Sequence, residues 1–101
     1  MYKPLPDYLT IERSTIDGLG LFALEDINKN TIIGITHVYS SGYEDSHIRT
    51  PLGCFINHSE SPNCILGNEG FTKILKTVKN ISKGEEITLK YSLYKIKSGS
   101  I

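Results

Sequence analysis

FINHSESPN, at residues 55–63, changes from apolar to polar side chains in a single step. Such a step places the hydrogen-bonding groups of Asn57 and His58 at the edge of a hydrophobic core. A carboxamide and a neutral imidazole each offer a donor and an acceptor, which suits an adenine edge or an amino-acid head group. The alternative is purely structural: an Asx turn closed by Pro62, with His58 hydrogen-bonded inside the core. The stretch by itself leaves both interpretations open.

Two glycines lie upstream, in the stretch GLGLFA at residues 18–23. Gly18 and Gly20 flank the single residue Leu19, so the backbone can approach a ligand closely and adopt positive φ. The pattern is not a dinucleotide-binding fingerprint, because no third glycine and no helix follow it. The alternative is a tight turn between two strands.

A third stretch, KGEEITLKY, lies downstream at residues 83–91. Gly84 marks a turn that leads into a strand, and that strand ends on the hydroxyl of Tyr91. Taken alone, the stretch favours a half-buried strand residue at Tyr91 over a catalytic one.

The composition is that of one globular domain. Hydrophobic residues make up 39% of the 101 residues and charged residues 22%, which is ordinary for a folded domain. Lys and Arg total 11, as do Asp and Glu, so the net charge is zero. We therefore expect no direct nucleic-acid binding, since domains with that function usually carry a basic excess.

Neither a membrane span nor a secretory signal is evident. No apolar run approaches the ~18 residues that cross a bilayer, and the first residues, MYKPLP, lack the apolar region of a signal peptide. We expect no membrane association and an intracellular, cytoplasmic location.

Metal binding is not expected either. Cys54 and Cys64 are too few to form a four-ligand zinc site, and His37, His47 and His58 show no ligand spacing around them.

Frequent turns and β-branched residues predict a mostly β fold with very little helix. Strands are expected at residues 8–13, 31–39, 71–78 and 86–91. Turn-forming clusters separate them at residues 17–18, 28–30, 40–42, 67–70 and 82–84. Residues 24–27 could form one helical turn at most. Because there are no repeats or linkers, residues 1–101 are expected to form a single domain.

In this order, the three stretches resemble the SET domain of protein lysine methyltransferases, over about residues 10–94. The matching elements are the Gly-x-Gly turn with an aromatic soon after it, the Asn-His-Ser-x-x-Pro-Asn element and the Gly-Glu-Glu-Ile-Thr-x-x-Tyr element. The Asn-His-Ser-x-x-Pro-Asn element is the specific one. The resemblance implies the β-clip fold, a set of small curved sheets in which this element threads under the C-terminal segment as a pseudoknot.

The same resemblance implies a site for S-adenosylmethionine. The backbone at Gly18, Leu19 and Gly20 would cradle this methyl donor, and Asn57 and His58 would hold it. The reaction would be an in-line methyl transfer to the deprotonated amine of a lysine in a protein substrate. No metal would take part.

The resemblance also assigns the acceptor side of the site. Tyr91 matches the family's active-site tyrosine, whose hydroxyl lies where donor and lysine meet. Tyr39 and Tyr94 are candidates for the lysine channel, as is Tyr43, although each also fits an ordinary core or surface position. The alternative function is a non-catalytic SET-like module that binds a protein partner.

Several features depart from the family pattern. Cys54 stands where Arg is frequent, Glu60 where zinc-bearing members often have Cys, and Lys90 where Asp is frequent. The insert between residues 39 and 51 is short, and zinc-binding regions before and after the domain are not expected. Minimal SET proteins of this kind occur in viruses and bacteria, and a viral source would allow a location in the host nucleus. A homodimer would cover the side of the channel that flanking regions usually close.

Overall fold

The computed structural model describes residues 4–39 and 47–90. In this part of the chain eight short strands and one helical turn are present. In chain order they are β1 (Leu9–Arg13), β2 (Leu19–Ala23), β3 (Ile32–Tyr39), β4 (His47–Arg49), α1 (Pro51–Cys54), β5 (Asn57–His58), β6 (Cys64–Glu69), β7 (Thr72–Thr77) and β8 (Thr88–Leu89). The prediction of a mostly β fold built from small sheets is confirmed.

A four-stranded antiparallel sheet is the largest unit, with strand order β4-β3-β7-β6. Strands β6 and β7 form a hairpin whose last pair joins Glu69 to Thr72. Its two-residue loop needs a residue with positive φ, and Gly70 supplies it at φ 59°. The turn predicted at residues 67–70 therefore begins later than expected, because residues 67–69 continue strand β6.

Two smaller sheets complete the domain. Strands β1 and β2 form an antiparallel hairpin. Strands β5 and β8 pair in parallel, with Asn57 opposite Thr88 and His58 opposite Leu89. This pairing brings the Asn-His-Ser element against the C-terminal part of the described chain, where the family resemblance expects it.

The C-terminal segment joins the small sheets to each other. Glu86 bridges to Phe22 of β2, and the backbone N–H of Ile87 donates to the carbonyl of Leu21 at 2.8 Å. Gly84 turns the chain there at φ 89°, so the turn predicted at residues 82–84 is confirmed. The result is that residue 86 lies directly beside the glycine-containing strand β2.

One hydrophobic core lies between the sheets. Its buried members are Leu9, Leu21, Ala23, Ile27, Ile33, Leu52, Ile56, Cys64, Leu75, Ile81, Ile87 and Leu89. Helix α1 begins at Pro51, a residue suited to the first helical position, and buries Leu52 in this core.

The helical turn is not where the sequence placed it. Residues 24–27 contain no helix; Ile27 instead pairs with Ile81 through two backbone hydrogen bonds of 2.8 Å. This long-range bridge satisfies backbone groups that a local helical turn would otherwise have used. No helix in the described part of the chain is long and apolar enough to cross a membrane.

Candidate functional site

The glycine turn exposes its backbone at the start of β2. Gly18 adopts φ 46°, and its carbonyl accepts a hydrogen bond of 2.8 Å from the N–H of Ser14. Leu19 is half exposed, whereas Gly20 is buried in the strand. The turn therefore presents accessible backbone beside a position where no side chain is present.

The side-chain amide of Asn57 lies against this turn. Its Nδ2 donates to the carbonyl of Asp17 at 3.1 Å, to the carbonyl of Leu19 at 3.2 Å and to Oε2 of Glu86 at 2.8 Å. Because all three neighbours can only accept, they determine which way the amide faces. The Oδ1 of Asn57 then remains as an acceptor that makes no hydrogen bond within the described residues.

Glu86 connects the turn, Asn57 and the loop before β2. Its carboxylate accepts from Asn57 and from the hydroxyl of Ser14, at 2.8 Å and 2.9 Å to the two oxygens. A Cβ atom on Gly20 would overlap this carboxylate and would lie 3.1 Å from Nδ2 of Asn57. Only glycine fits at residue 20 while Glu86 and Asn57 keep these positions.

Glu86 and Ser14 were not among the predicted site residues. Glu86 belongs to the Gly-Glu-Glu-Ile-Thr element, which signalled the family but no individual role. Ser14 carries no motif, so its position 72 residues before Glu86 left no signal in the sequence.

Asn63 clamps the polar element to the C-terminal strand from inside the core. Its Nδ2 donates to the carbonyl of Glu86 at 2.7 Å, and its Oδ1 accepts from the N–H of Thr88 at 2.9 Å. Because Asn63 is buried, losing either bond would leave a backbone group unpaired. This residue sets the position of the segment that carries Glu86.

His58 engages a different set of groups from its neighbour Asn57. Its Nε2 lies 2.7 Å from Oε2 of Glu60, and the Nζ of Lys90 lies 3.6 Å from the other carboxylate oxygen. The hydrogen bond to His58, followed by the charge of Lys90, lowers the pKa of Glu60. About a third of the His58 side chain is exposed, so it is not the core histidine of the structural alternative.

Two of the departures from the family pattern are therefore coupled. Glu60 and Lys90 replace residues of other types and face each other as an exposed ion pair across the end of β8. Cys54, the third departure, is exposed at the end of helix α1.

Of the tyrosines predicted for the acceptor side, Tyr39 lies within the described residues. Tyr39 ends strand β3 and stacks on Phe71, with ring centroids 6.2 Å apart. Tyr91, Tyr94 and Tyr43 lie outside the described residues, so their roles stay predictions.

Cysteine, histidine and carboxylate groups do not gather into a metal site in residues 4–39 and 47–90. Cys64 is buried, and desolvation raises the pKa of its thiol to about 12. A thiol in this state remains protonated at neutral pH and is a poor metal ligand.

Comparison with solved structures supports the fold. A Plasmodium falciparum protein assigned as a histone methyltransferase has a TM-score of 0.73 at 27% identity, over 86% of this chain and 95% of that one. The methyltransferase domain of human PR domain-containing protein 2 has a TM-score of 0.66 at 20% identity, over 84% and 77%. Polycomb Repressive Complex 2 from Chaetomium thermophilum, in a humanized mutant form, also gives 0.66 at 20%, over 82% of this chain and 14% of that one.

Comparison of sequences identifies the family. The histone-lysine N-methyltransferase of Mycosarcoma maydis that is specific for H3 lysine 36 is 32% identical, in a match covering 75% of this chain. The chain spans only 11% of the length of that protein. The model of the SET domain matches residues 36–92, which is more than half of the 101 residues and includes the Asn57 and Glu86 positions. The chain therefore belongs to the SET-domain family.

Proposed function

We propose that this chain is a protein-lysine N-methyltransferase that uses S-adenosylmethionine. The observation that carries the proposal is the amide of Asn57, which three acceptors hold in one orientation beside the Gly18–Gly20 turn. Membership of the SET-domain family supports lysine as the acceptor, since the Mycosarcoma maydis relative is a histone-lysine N-methyltransferase.

The residues present fit the methyl donor. When bound, S-adenosylmethionine supplies a methyl group on a positively charged sulfur. The free Oδ1 of Asn57 would accept a hydrogen bond from its ammonium group, and the carboxylate of Glu86 complements its positive charges. Gly18 and Leu19 are exposed, so the donor can reach this turn, and the absence of a side chain at Gly20 lets Glu86 and Asn57 stand beside it.

On the acceptor side, the lysine amine must be neutral to attack. Its ordinary pKa is about 10.4, so the site has to favour loss of a proton. We propose that the hydroxyl of Tyr91 orients the amine and offsets charge as it develops. The substrate would be a protein that presents a lysine side chain.

Donor binding provides the first test. Asn57→Ala removes the acceptor for the donor's ammonium, so we expect S-adenosylmethionine affinity to fall about 10- to 100-fold, as for loss of a hydrogen bond to a charged group. Isothermal titration calorimetry measures the affinity, and Asn68→Ala, an exposed asparagine on β6, is the matched control. A wild-type chain that binds no donor at millimolar concentration would refute the proposed function.

Methyl transfer provides the second test. Tyr91→Phe removes one hydroxyl and keeps the ring, so we expect turnover to fall by about 10²-fold while donor affinity stays unchanged. Transfer of labelled methyl groups to histone H3 and to total cell protein measures the rate, and Tyr8→Phe is the control. Full activity of the Phe variant would show that another residue has this role. Donor binding without any transfer by the wild-type chain would favour the non-catalytic alternative.

A further inference from the structure

The four-stranded sheet has a second apolar face besides the one that forms the core. Val38 is paired with Ile48, and Ile35 with Ile74. Since residues paired across antiparallel strands share a face, the register places six aliphatic side chains together. Six aliphatic residues define this outer face, and Thr72, Lys76 and Glu69 lie on it with them; the six are Ile32, Ile35, Val38, Ile48, Ile65 and Ile74.

Two irregularities in strand β3 create this face. Side chains normally alternate between faces with a period of two, but the register of β3 against β7 shifts between residues 32 and 34 and again between 35 and 37. As a result Ile32, Ile35 and Val38, which are three residues apart, all lie on the outer face. The extra residues Ile33 and Thr36 are buried.

The outer face is open to solvent. Five of its six side chains are between 40% and 60% exposed, and Ile74 is half-buried. Antiparallel sheets with one solvated face usually carry polar residues there, and a contiguous apolar patch on a folded domain marks an interaction surface. Five of the eight residues of β3 are β-branched, which is typical of a strand covered on both sides.

Opposite charges stand at opposite ends of this face. Lys76 is paired with Ile32 on one side and Ile65 on the other, at one end of the strands. Glu69 is paired with Thr72 at the other end. A surface with this arrangement is complementary to itself when one copy is turned end to end.

We propose that the outer face binds a second copy of this chain. The two-fold axis would lie in the interface, across the strands at the level of Ile35 and Ile74. It would stack these two residues on their counterparts, Lys76 on Thr72 of the partner subunit and Glu69 on Ile65 of the partner subunit. Lys76 would then lie at the same level as Glu69 of the partner subunit, one strand away from it. An axis parallel to the strands would instead place both charged residues on isoleucines, Glu69 over Ile48 and Lys76 over Ile32, which costs desolvation without pairing the charges.

The small area of the outer face limits how stable the dimer can be. Strands about 4.8 Å apart with a rise of about 3.4 Å per residue give the face an area of roughly 400 Å². Stable interfaces bury about 800 Å² per partner, and interfaces below about 1,200 Å² in total belong to weak complexes. We therefore expect a reversible dimer that dissociates on dilution in the micromolar range. This proposal does not depend on the proposed function.

Sedimentation velocity on the 101-residue chain, from low micromolar to near-millimolar concentration, tests association. The wild-type chain should shift from monomer to dimer, and Ile35→Glu should stay monomeric because two like charges would meet at the axis. Ile16→Glu is the matched control, since Ile16 is as exposed as Ile35 and lies outside the face. Thermal unfolding checks that each variant is folded. A wild-type chain that stays monomeric overturns the proposal and would indicate that the outer face binds a different protein. Association that survives Ile35→Glu also overturns it.

A charge exchange tests the direction of the axis. Glu69→Lys and Lys76→Glu should each weaken the dimer, and the two changes together should restore it, with the salt dependence of the wild-type chain. Restoration would not occur if the face bound in another orientation. A double variant that associates no better than the single variants therefore overturns the two-fold arrangement.

Discussion

At the scale of single residues, the candidate site depends on one carboxylate whose neighbours come from three parts of the chain. Glu86 accepts hydrogen bonds from Ser14 and Asn57 and lies where a side chain at Gly20 would otherwise stand. In the proposed donor site, Glu86 would not need to touch S-adenosylmethionine to affect its binding. By holding Nδ2 of Asn57, it leaves Oδ1 as an acceptor that makes no hydrogen bond within the described residues.

Replacing Glu86 should therefore weaken donor binding through Asn57. For Glu86→Ala we expect about a 10-fold loss of S-adenosylmethionine affinity, because Asn57 loses its shortest hydrogen bond. Glu86→Gln should lose less, since its amide oxygen can still accept from Asn57 while its nitrogen donates to Ser14. Calorimetry measures both, with Glu12→Ala, an exposed carboxylate paired opposite Gly20, as the control. Equal affinities for the Ala and Gln variants would contradict the positioning role.

At the scale of elements, helix α1 is held on strand β3 by close backbone contact. The N–H of Thr50, just before the helix, donates to the carbonyl of Thr36 at 2.9 Å. A Cβ atom on Gly53 would overlap the same carbonyl oxygen. The helix can therefore approach the strand only because residue 53 has no side chain.

Gly53→Ala should destabilise the domain by about 1–3 kcal/mol, the usual cost of overpacking against atoms that cannot move away. This cost exceeds the gain of up to ~1 kcal/mol that alanine brings to a helix. Gly67→Ala is the control, because a Cβ there meets only Ile74, at an ordinary 3.6 Å. Urea denaturation measures both free energies of unfolding, at a protein concentration low enough for the chain to be monomeric. If the two variants are equally stable, the contact is looser than the structure indicates.

At the scale of the whole molecule, the small sheets share one core. A cysteine buried in this core makes the stability of the fold depend on pH. Burial raises the pKa of the Cys64 thiol to about 12, from an ordinary value of 9.0. Between these two pH values the folded state keeps a proton that the unfolded chain has lost. The contribution of this thiol to the free energy of unfolding is therefore fully present below pH 9 and decreases as the pH rises toward 12.

Comparison of wild-type protein with Cys64→Ala tests this dependence. The stability advantage of the wild-type chain should shrink above pH 9 by up to about 1 kcal/mol per pH unit. Urea denaturation at several pH values measures the difference, and Cys54→Ala, at the exposed cysteine, should show no such change. A constant advantage up to pH 11 would mean that the thiol ionises more easily than its burial indicates.

The sequence by itself determined the local features of this protein and its family. Strands β3 and β7 follow from β-branched residues, and the turns at Gly18 and Gly84 follow from residues that tolerate positive φ. The Asn-His-Ser-x-x-Pro-Asn element identified the SET domain. These signals were readable because each acts within a few neighbouring residues. The helical turn predicted at residues 24–27 was wrong. Ile27 pairs with the distant Ile81 instead, and this pairing outweighs a weak local preference for helix.

Only the tertiary structure decided what the side chains of the site contact. Ser14 and Glu86 are 72 residues apart, and the acceptors around Asn57 come from both ends of the domain. The pairing of Glu60 with Lys90 and the shifted register of β3 likewise have no local signature. Such contacts depend on how the sheets pack around a common core. Packing sums small energies over the whole chain, so no short stretch of sequence specifies them.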